Sequence, residues 1–157
     1  VIAIAEVADW AGKQGIKNVH GMNFGSQNFD FGKLRMVWAT HSAALPDGTC
    51  GGNPAGYVLE LENKTIYFAG DTALTMEMKL LAELYNLSYA ILPIGGNYTM
   101  DVDDAIIATK YIDCDTVIGV HYNTFPVIEI DTEEALAKFK RENKVLLLPE
   151  IGETIEL

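Results

Sequence analysis

Apolar and polar positions follow two different rhythms along this chain. "VIAIAE" is a short apolar run that reads as a buried strand, and "VADWAGKQG" reads as a helix closed by Gly15. "NFDFGKLRMVWATHS" alternates in two pieces around Gly32, the pattern of a hairpin, and "YVLELENKTIYFAG" is a second hairpin turning at "ENK". Between them "AALPDGTCGGNPAG" places four Gly and two Pro in fourteen residues, which makes it a loop. From Thr72 the period lengthens. Leu74, Met78, Leu81 and Leu84 recur at three and four, which predicts a helix beginning directly after Asp71. "YAILPIGG" is a continuous apolar strand. "DVDDAIIATKYID" is a helix with acids in its first turn, where the helix dipole favours them. "DTVIGVHYN" is a strand, "DTEEALAKFKREN" a helix with Asp131 and Glu134 at capping-box spacing, and "KVLLLPEIGETIEL" one or two closing strands. Hairpins first and strand-helix alternation afterwards predict sheets covered by helices, in a single domain spanning residues 1–157.

Three of these strands run apolar to their ends and then present a side chain able to bind metal. "VWATHS" ends at His41, "IYFAGD" at Asp71 and "VIGVHY" at His121. Strand ends carry sites because loops there are shaped on a rigid frame. Imidazole nitrogen and carboxylate oxygen suit zinc, manganese or iron. Each residue also has an ordinary reading. A single strand-end His is commonly a hydrogen-bonded structural residue, and Asp71, placed before a helical pattern, reads as an N-cap. His20, in "NVHGMN", has no such setting and reads as structural or surface.

Composition narrows the partners. The 157 residues suffice for one sizeable core, and about half are apolar. The net charge of -11 repels nucleic acid and anionic membranes, and the eleven Lys and Arg are scattered apart from the helical "KFKRENK". No apolar run approaches the roughly 18 residues of a membrane span, so no membrane partner is expected. Cys50 and Cys114 lie far apart without CxxC spacing, which points to a reducing, cytoplasmic setting. Cys114 reads as a buried inert thiol and Cys50 as a reachable one.

The motifs "ATHS", "FAGDT" and "GVHYN", in this order, resemble the later motifs of the metallo-β-lactamase superfamily. The likeness extends through "HSAALPDG", "NPAGYVLE", "LPIGGNYTMDVDDA" and "HYNTFP", covering nearly the whole chain. It is nearest to a small branch of metal-dependent hydrolases of unassigned substrate, akin to lactonase-like members. The resemblance implies a four-layer αβ/βα sandwich with two metals at one edge. It implies that His41 binds one metal, His121 the other, and Asp71 bridges them. Asp71 and His121 are the implied catalytic groups, and two divalent transition ions, zinc first, are the implied cofactors. The ions would activate a water for attack on a small-molecule substrate, a phosphoester, a lactone or another ester. The turn Gly95–Thr99 would lie beside the site, making Gly96, Asn97, Tyr98 and Thr99 candidates for substrate contact, together with Asn123 and Thr124. The glycines of "DGTCGGN" permit a lid.

One departure matters. The superfamily signature is a His-x-His-x-Asp-His loop near the N-terminus, and no such motif occurs among the three His of this chain. The expectation is therefore a C-terminal part of a longer domain, inactive by itself, that self-associates or stays with an N-terminal segment. The alternative is a degenerate, non-catalytic paralogue serving as a binding or structural module.

Overall fold

A computed structural model describes all residues from Val1 to Leu157. Nine strands and four helices form two sheets and their covers. β1 (Ile2–Ile4), α1 (Ala5–Lys13) and β2 (His20–Met22) make a small parallel unit, with α1 as the crossover. Then come β3 (Gly25–Phe29), β4 (Gly32–Trp38), β5 (Ala55–Glu60) and β6 (Thr65–Phe68), a meander of antiparallel neighbours. α2 (Met78–Leu84), β7 (Tyr89–Pro93), α3 (Val102–Tyr111), β8 (Thr116–Val120), α4 (Thr132–Arg141) and β9 (Val145–Leu147) follow, and β6 to β9 pair in parallel. The large sheet thus has the order β3-β4-β5-β6-β7-β8-β9.

Strand alternation sorts the core. Val58, Tyr67, Ala90, Val117 and Leu146 are aligned across the sheet by register and point to one face. There they meet Met78 and Leu81 of α2, Ala105, Ala108 and Ile112 of α3, and Ala135 and Phe139 of α4 in one buried cluster. Burial pushes the Tyr67 phenol above its ordinary range. On the opposite face Leu34 and Met36 pack against Ile4 and Met22 of the small sheet, and the Tyr57 hydroxyl donates to the Ile2 carbonyl at 3.3 Å. Gly21 lies against Ala5 and Ala8 of α1 at van der Waals distance. The layers run helices, large sheet, small sheet, helix, so the expected αβ/βα order is present, with a second sheet of only two strands.

The helix starts follow from local chemistry. Asp101 caps α3, its Oδ1 accepting from the Asp104 amide at 2.8 Å, and Asp131 caps α4, accepting from Glu134 at 3.0 Å. Two stretches depart from the sequence pattern, and one open expectation is settled. β2 was not foreseen, because "HGM" has no alternation of its own and is ordered by its partner β1. "KVLLLPEIGETIEL" gives one strand, since Pro149 removes a donor and ends the ladder beyond Leu147. The helix predicted directly after Asp71 begins only at Met78. Thr72 to Glu77 stay extended or turned because Thr72 and Ala73 are bonded to the loops at Thr40 and Met100, and Leu74 reaches the core from that loop.

Candidate metal centre

β4 and β6 both run antiparallel to β5, and β7 and β8 run parallel to β6. The C-terminal ends of β4, β6, β7 and β8 therefore share one edge of the large sheet. His41 lies three residues beyond β4, Asp71 three beyond β6, and His121 directly beyond β8. Counted in strands, the exit of β6 that carries Asp71 stands midway: the exits of β4 and β8 are each two strand spacings from it, about 10 Å between backbones. Asp71 caps no helix, since α2 starts seven residues later with Glu77 before it and no side-chain cap. The ordinary explanation for this acid is thereby removed.

His121 Nε2 stands 3.6 Å from Asp71 Oδ2. That is too long for a hydrogen bond. It is close to the ~3.4 Å separating two donors that share one tetrahedral ion at ~2.1 Å. The Nδ1 of His121 is buried without a partner. The backbone of His121 is held at φ 56°, a left-handed conformation that a non-glycine residue adopts only under constraint. The constraint is visible in Gly95: a Cβ there would lie 2.2 Å from the His121 carbonyl oxygen. Glycine lets β7's exit press on the turn that carries the imidazole.

His41 is positioned differently. Its Nδ1 lies 2.9 Å from the Ser42 carbonyl, which can only accept, so Nδ1 is the donor of that bond and Nε2 is the nitrogen left to face a ligand. No group of three or more His, Cys, Asp and Glu side chains is drawn together closely enough to hold an ion. Of the three candidates, then, Asp71 and His121 converge, and His41 flanks them on the same edge. A carboxylate and an imidazole at this spacing, with an orphaned ring nitrogen, fit part of a metal's ligand set. His20 lies in β2 and packs edge-on against Phe29, away from the others. The "DGTCGGN" loop leans on α1, with Gly52 in contact with the Glu6 carboxylate.

Sequence reasoning missed the residue that ties the loops together. Thr72 is fully buried. Its Oγ1 accepts from the Thr40 amide at 2.9 Å and donates to the Ala73 carbonyl at 2.8 Å. The Ala73 amide returns a bond to the Thr40 carbonyl, and the Met100 amide donates to the Thr72 carbonyl, both at 3.0 Å. The neighbours of His41 and Asp71 and the turn after β7 are thus joined through one residue, its hydroxyl and its carbonyl each taking one of the loops. A Thr after a loop acid carries no periodic signal, so only the fold shows this. Asn123, at φ 52°, closes the loop after His121: its Oδ1 accepts from the Ile130 amide at 2.7 Å. Burial pushes the Tyr122 phenol above its ordinary value. A cleft of about 490 Å3 runs from His121 past Asn123 and Thr124 to Ile151.

Comparison with known proteins now decides the family. The sequence model of the Beta-lactamase superfamily domain matches residues 3–122. A protein of Flavobacterium johnsoniae named UPF0173 metal-dependent hydrolase is 53% identical over the whole chain, which covers 70% of that relative. This chain belongs to the UPF0173 metal-dependent hydrolase family. A second member, from Christiangramia forsetii, is 51% identical with the same coverage. Among solved structures, Igni18, a metallo hydrolase of the archaeon Ignicoccus hospitalis, is 35% identical with a TM-score of 0.86, over 98% of this chain and 66% of its own length. An isothiocyanate hydrolase from Delia radicum gut bacteria shares the fold at 20% identity and a TM-score of 0.76. The chain thus spans about two thirds of the length of these family members. No helix is long and apolar enough to cross a membrane.

Proposed function

We propose that this chain supplies metal ligands and part of the substrate pocket of a hydrolase acting on a phosphoester, a lactone or another carboxylic ester. The observation that carries the reading is the 3.6 Å approach of His121 Nε2 to Asp71 Oδ2 at the edge that also carries His41. Asp71, midway along that edge, is the residue suited to bridge two ions, with His121 and His41 as terminal ligands on either side. Zinc is the first choice for this donor set, ahead of manganese and iron. A bound ion would bring a water to hydroxide near neutral pH and polarise the bond attacked.

The chain's own residues do the rest. Gly95 and the strained turn at His121 fix the imidazole, Thr72 holds the Asp71 and His41 loops together, and the Ser42 carbonyl orients the His41 ring. Asn97, Tyr98 and Asn123 are exposed on the same edge and contact substrate, whereas Gly96 and Thr99, also expected to do so, are buried inside the turn and shape it. Three protein donors for two ions fall short of the four that a closed zinc site uses. This chain by itself is therefore expected to bind one ion weakly and to turn over poorly. Full activity needs further ligands from elsewhere in the protein or from a partner. Phe68 and Val145, both about half exposed on the large sheet, favour association with such a segment or a second copy. Two unpaired cysteines favour a reducing compartment such as the cytoplasm.

Zinc titration by calorimetry, with metal analysis of the wild type and of Asp71→Ala, tests the reading. Binding that vanishes in the variant supports it. Binding unaffected by the variant, or no binding by a family member that spans the whole domain, ends it.

A further inference from the structure

We propose that Tyr98 and Phe125 form an aromatic clamp beside the Asp71–His121 pair, and that the substrate carries a flat apolar group, an aryl ring or its like, which this clamp holds. The inference rests on the metal-hydrolase reading above and names the substrate class of that same site.

Place comes first. Tyr98 and Phe125 lie on the loops that leave β7 and β8, which are neighbouring parallel strands. Those loops touch: a Cβ on Gly95 would meet the His121 carbonyl at 2.2 Å and the Ile128 Cβ at 2.9 Å. The two rings therefore belong to the same edge as the metal-type ligands.

Each ring is also presented by a fixed turn. The Gly96 amide donates to the Met100 carbonyl at 2.9 Å, Thr99 is buried, and Asn97 sits at φ 57°, so Tyr98 is held outward at the apex. On the other loop the Asn123 amide donates to the Ile128 carbonyl at 3.0 Å, and the Ile128 amide donates to the Phe125 carbonyl at 3.2 Å. Of the five non-glycine residues with positive φ, Asn97, His121 and Asn123 are three. Backbone strain gathers where geometry is needed for function.

Exposure then asks for an occupant. Tyr98 is 55% exposed and Phe125 43% exposed. Each leaves about 1–2 kcal/mol of burial unused, on loops rigid enough to have turned it inward. The ring centroids are 6.3 Å apart and inclined at 42°, near the outer limit of aromatic contact. Their faces are not used up on each other, and a flat group can lie against either. Small-molecule sites are mostly apolar walls with a few polar groups, and Asp71, His121 and Asn123 stand on the same sheet edge as the two rings.

The test uses this chain with two soluble probes, phenylacetate and acetate, which share a carboxylate and differ in the ring. Resonances of the Tyr98 and Phe125 side chains are followed during titration of the wild type, Tyr98→Ala, Phe125→Ala and Tyr98→Phe. The clamp predicts that phenylacetate shifts both rings and binds about tenfold more tightly than acetate. It predicts that either Ala variant loses that preference while Tyr98→Phe keeps it, which separates a stacking surface from a fold defect. Equal binding of the two probes, or ring shifts that grow with protein concentration alone and mark a contact between copies, overturns it. Phenol release from phenyl acetate by a zinc-loaded family member that spans the whole domain tests the hydrolase reading separately. A preference for phenylacetate without phenol release supports the clamp and counts against hydrolysis, and phenol release without the preference does the reverse.

Discussion

The amide of Thr40 donates to the hydroxyl of Thr72 at 2.9 Å, joining two loops 32 residues apart in sequence, one beside His41 and the other beside Asp71. Because Thr72 is fully buried, this hydroxyl has no water to replace it. The link sets the separation of two candidate ligands that no strand pairing brings together.

Thr72→Val keeps the shape and deletes the hydroxyl, leaving the Thr40 amide unpaired. Thermal or urea unfolding should show a loss of about 1–3 kcal/mol. Zinc affinity should fall about tenfold or more, as for other residues that orient ligands. Thr72→Ser should restore most of both. Equal zinc binding by the Val variant and the wild type would reduce Thr72 to a packing residue.

Asp71→Ala should abolish zinc binding with little effect on helix content, because Asp71 caps no helix. His20→Ala, remote from the edge, should leave zinc content unchanged. Circular dichroism alongside metal analysis checks both, and a similar loss of zinc in the two variants would remove the special role of Asp71.

Gly95→Ala places a methyl 2.2 Å from the His121 carbonyl oxygen and 2.9 Å from the Ile128 side chain. One contact is backbone and cannot swing away, so the cost is expected to be about 3 kcal/mol, with the β8 exit displaced. Gly48→Ala is the control for an exposed loop glycine. Its own φ of 83° makes it mildly strained, but nothing lies within 4 Å of the added methyl. A denaturation series ranking Gly48→Ala as the worse variant would contradict the close approach.

The cysteines give a pH prediction. Burial, the largest influence, pushes the Cys114 thiol above its ordinary value, while Cys50 is exposed. The folded state therefore resists ionising Cys114. This contribution to stability is fully present below the thiol's unfolded pKa of about 8.5 and is lost as pH rises toward the folded value. Iodoacetamide at pH 8 should modify one thiol in the native chain and both in denaturant. Prompt labelling of both under native conditions would place Cys114 at the surface.

Most of the framework was legible in one dimension. Alternation around Gly32 and around "ENK" marked both hairpins, and the first-turn acids of "DVDDA" and the capping box at Asp131 marked two helices. Period alone misjudged the stretch after Asp71. Leu74, Met78, Leu81 and Leu84 repeat as a helix would, yet tertiary bonds to Thr72 and Ala73 hold the first of them in a loop. The error bears on function, since a helix there would have made Asp71 a cap.

The chain's sequence determined which side chains stand at strand ends, because an apolar run and the polar residue closing it are neighbours along one strand. It also determined the unpaired thiols and the acidic surface. Only the tertiary structure decided that β4, β6, β7 and β8 point the same way, which brings His41, Asp71 and His121 to one edge. Strand direction within a sheet depends on pairings between distant segments, and no local pattern encodes it. The tertiary structure alone also set the 3.6 Å between Asp71 and His121, the pressure of Gly95 on the His121 turn, and the Thr40–Thr72 bond. Each is a contact between residues far apart in the chain, fixed when the sheet closes and the helices pack on it.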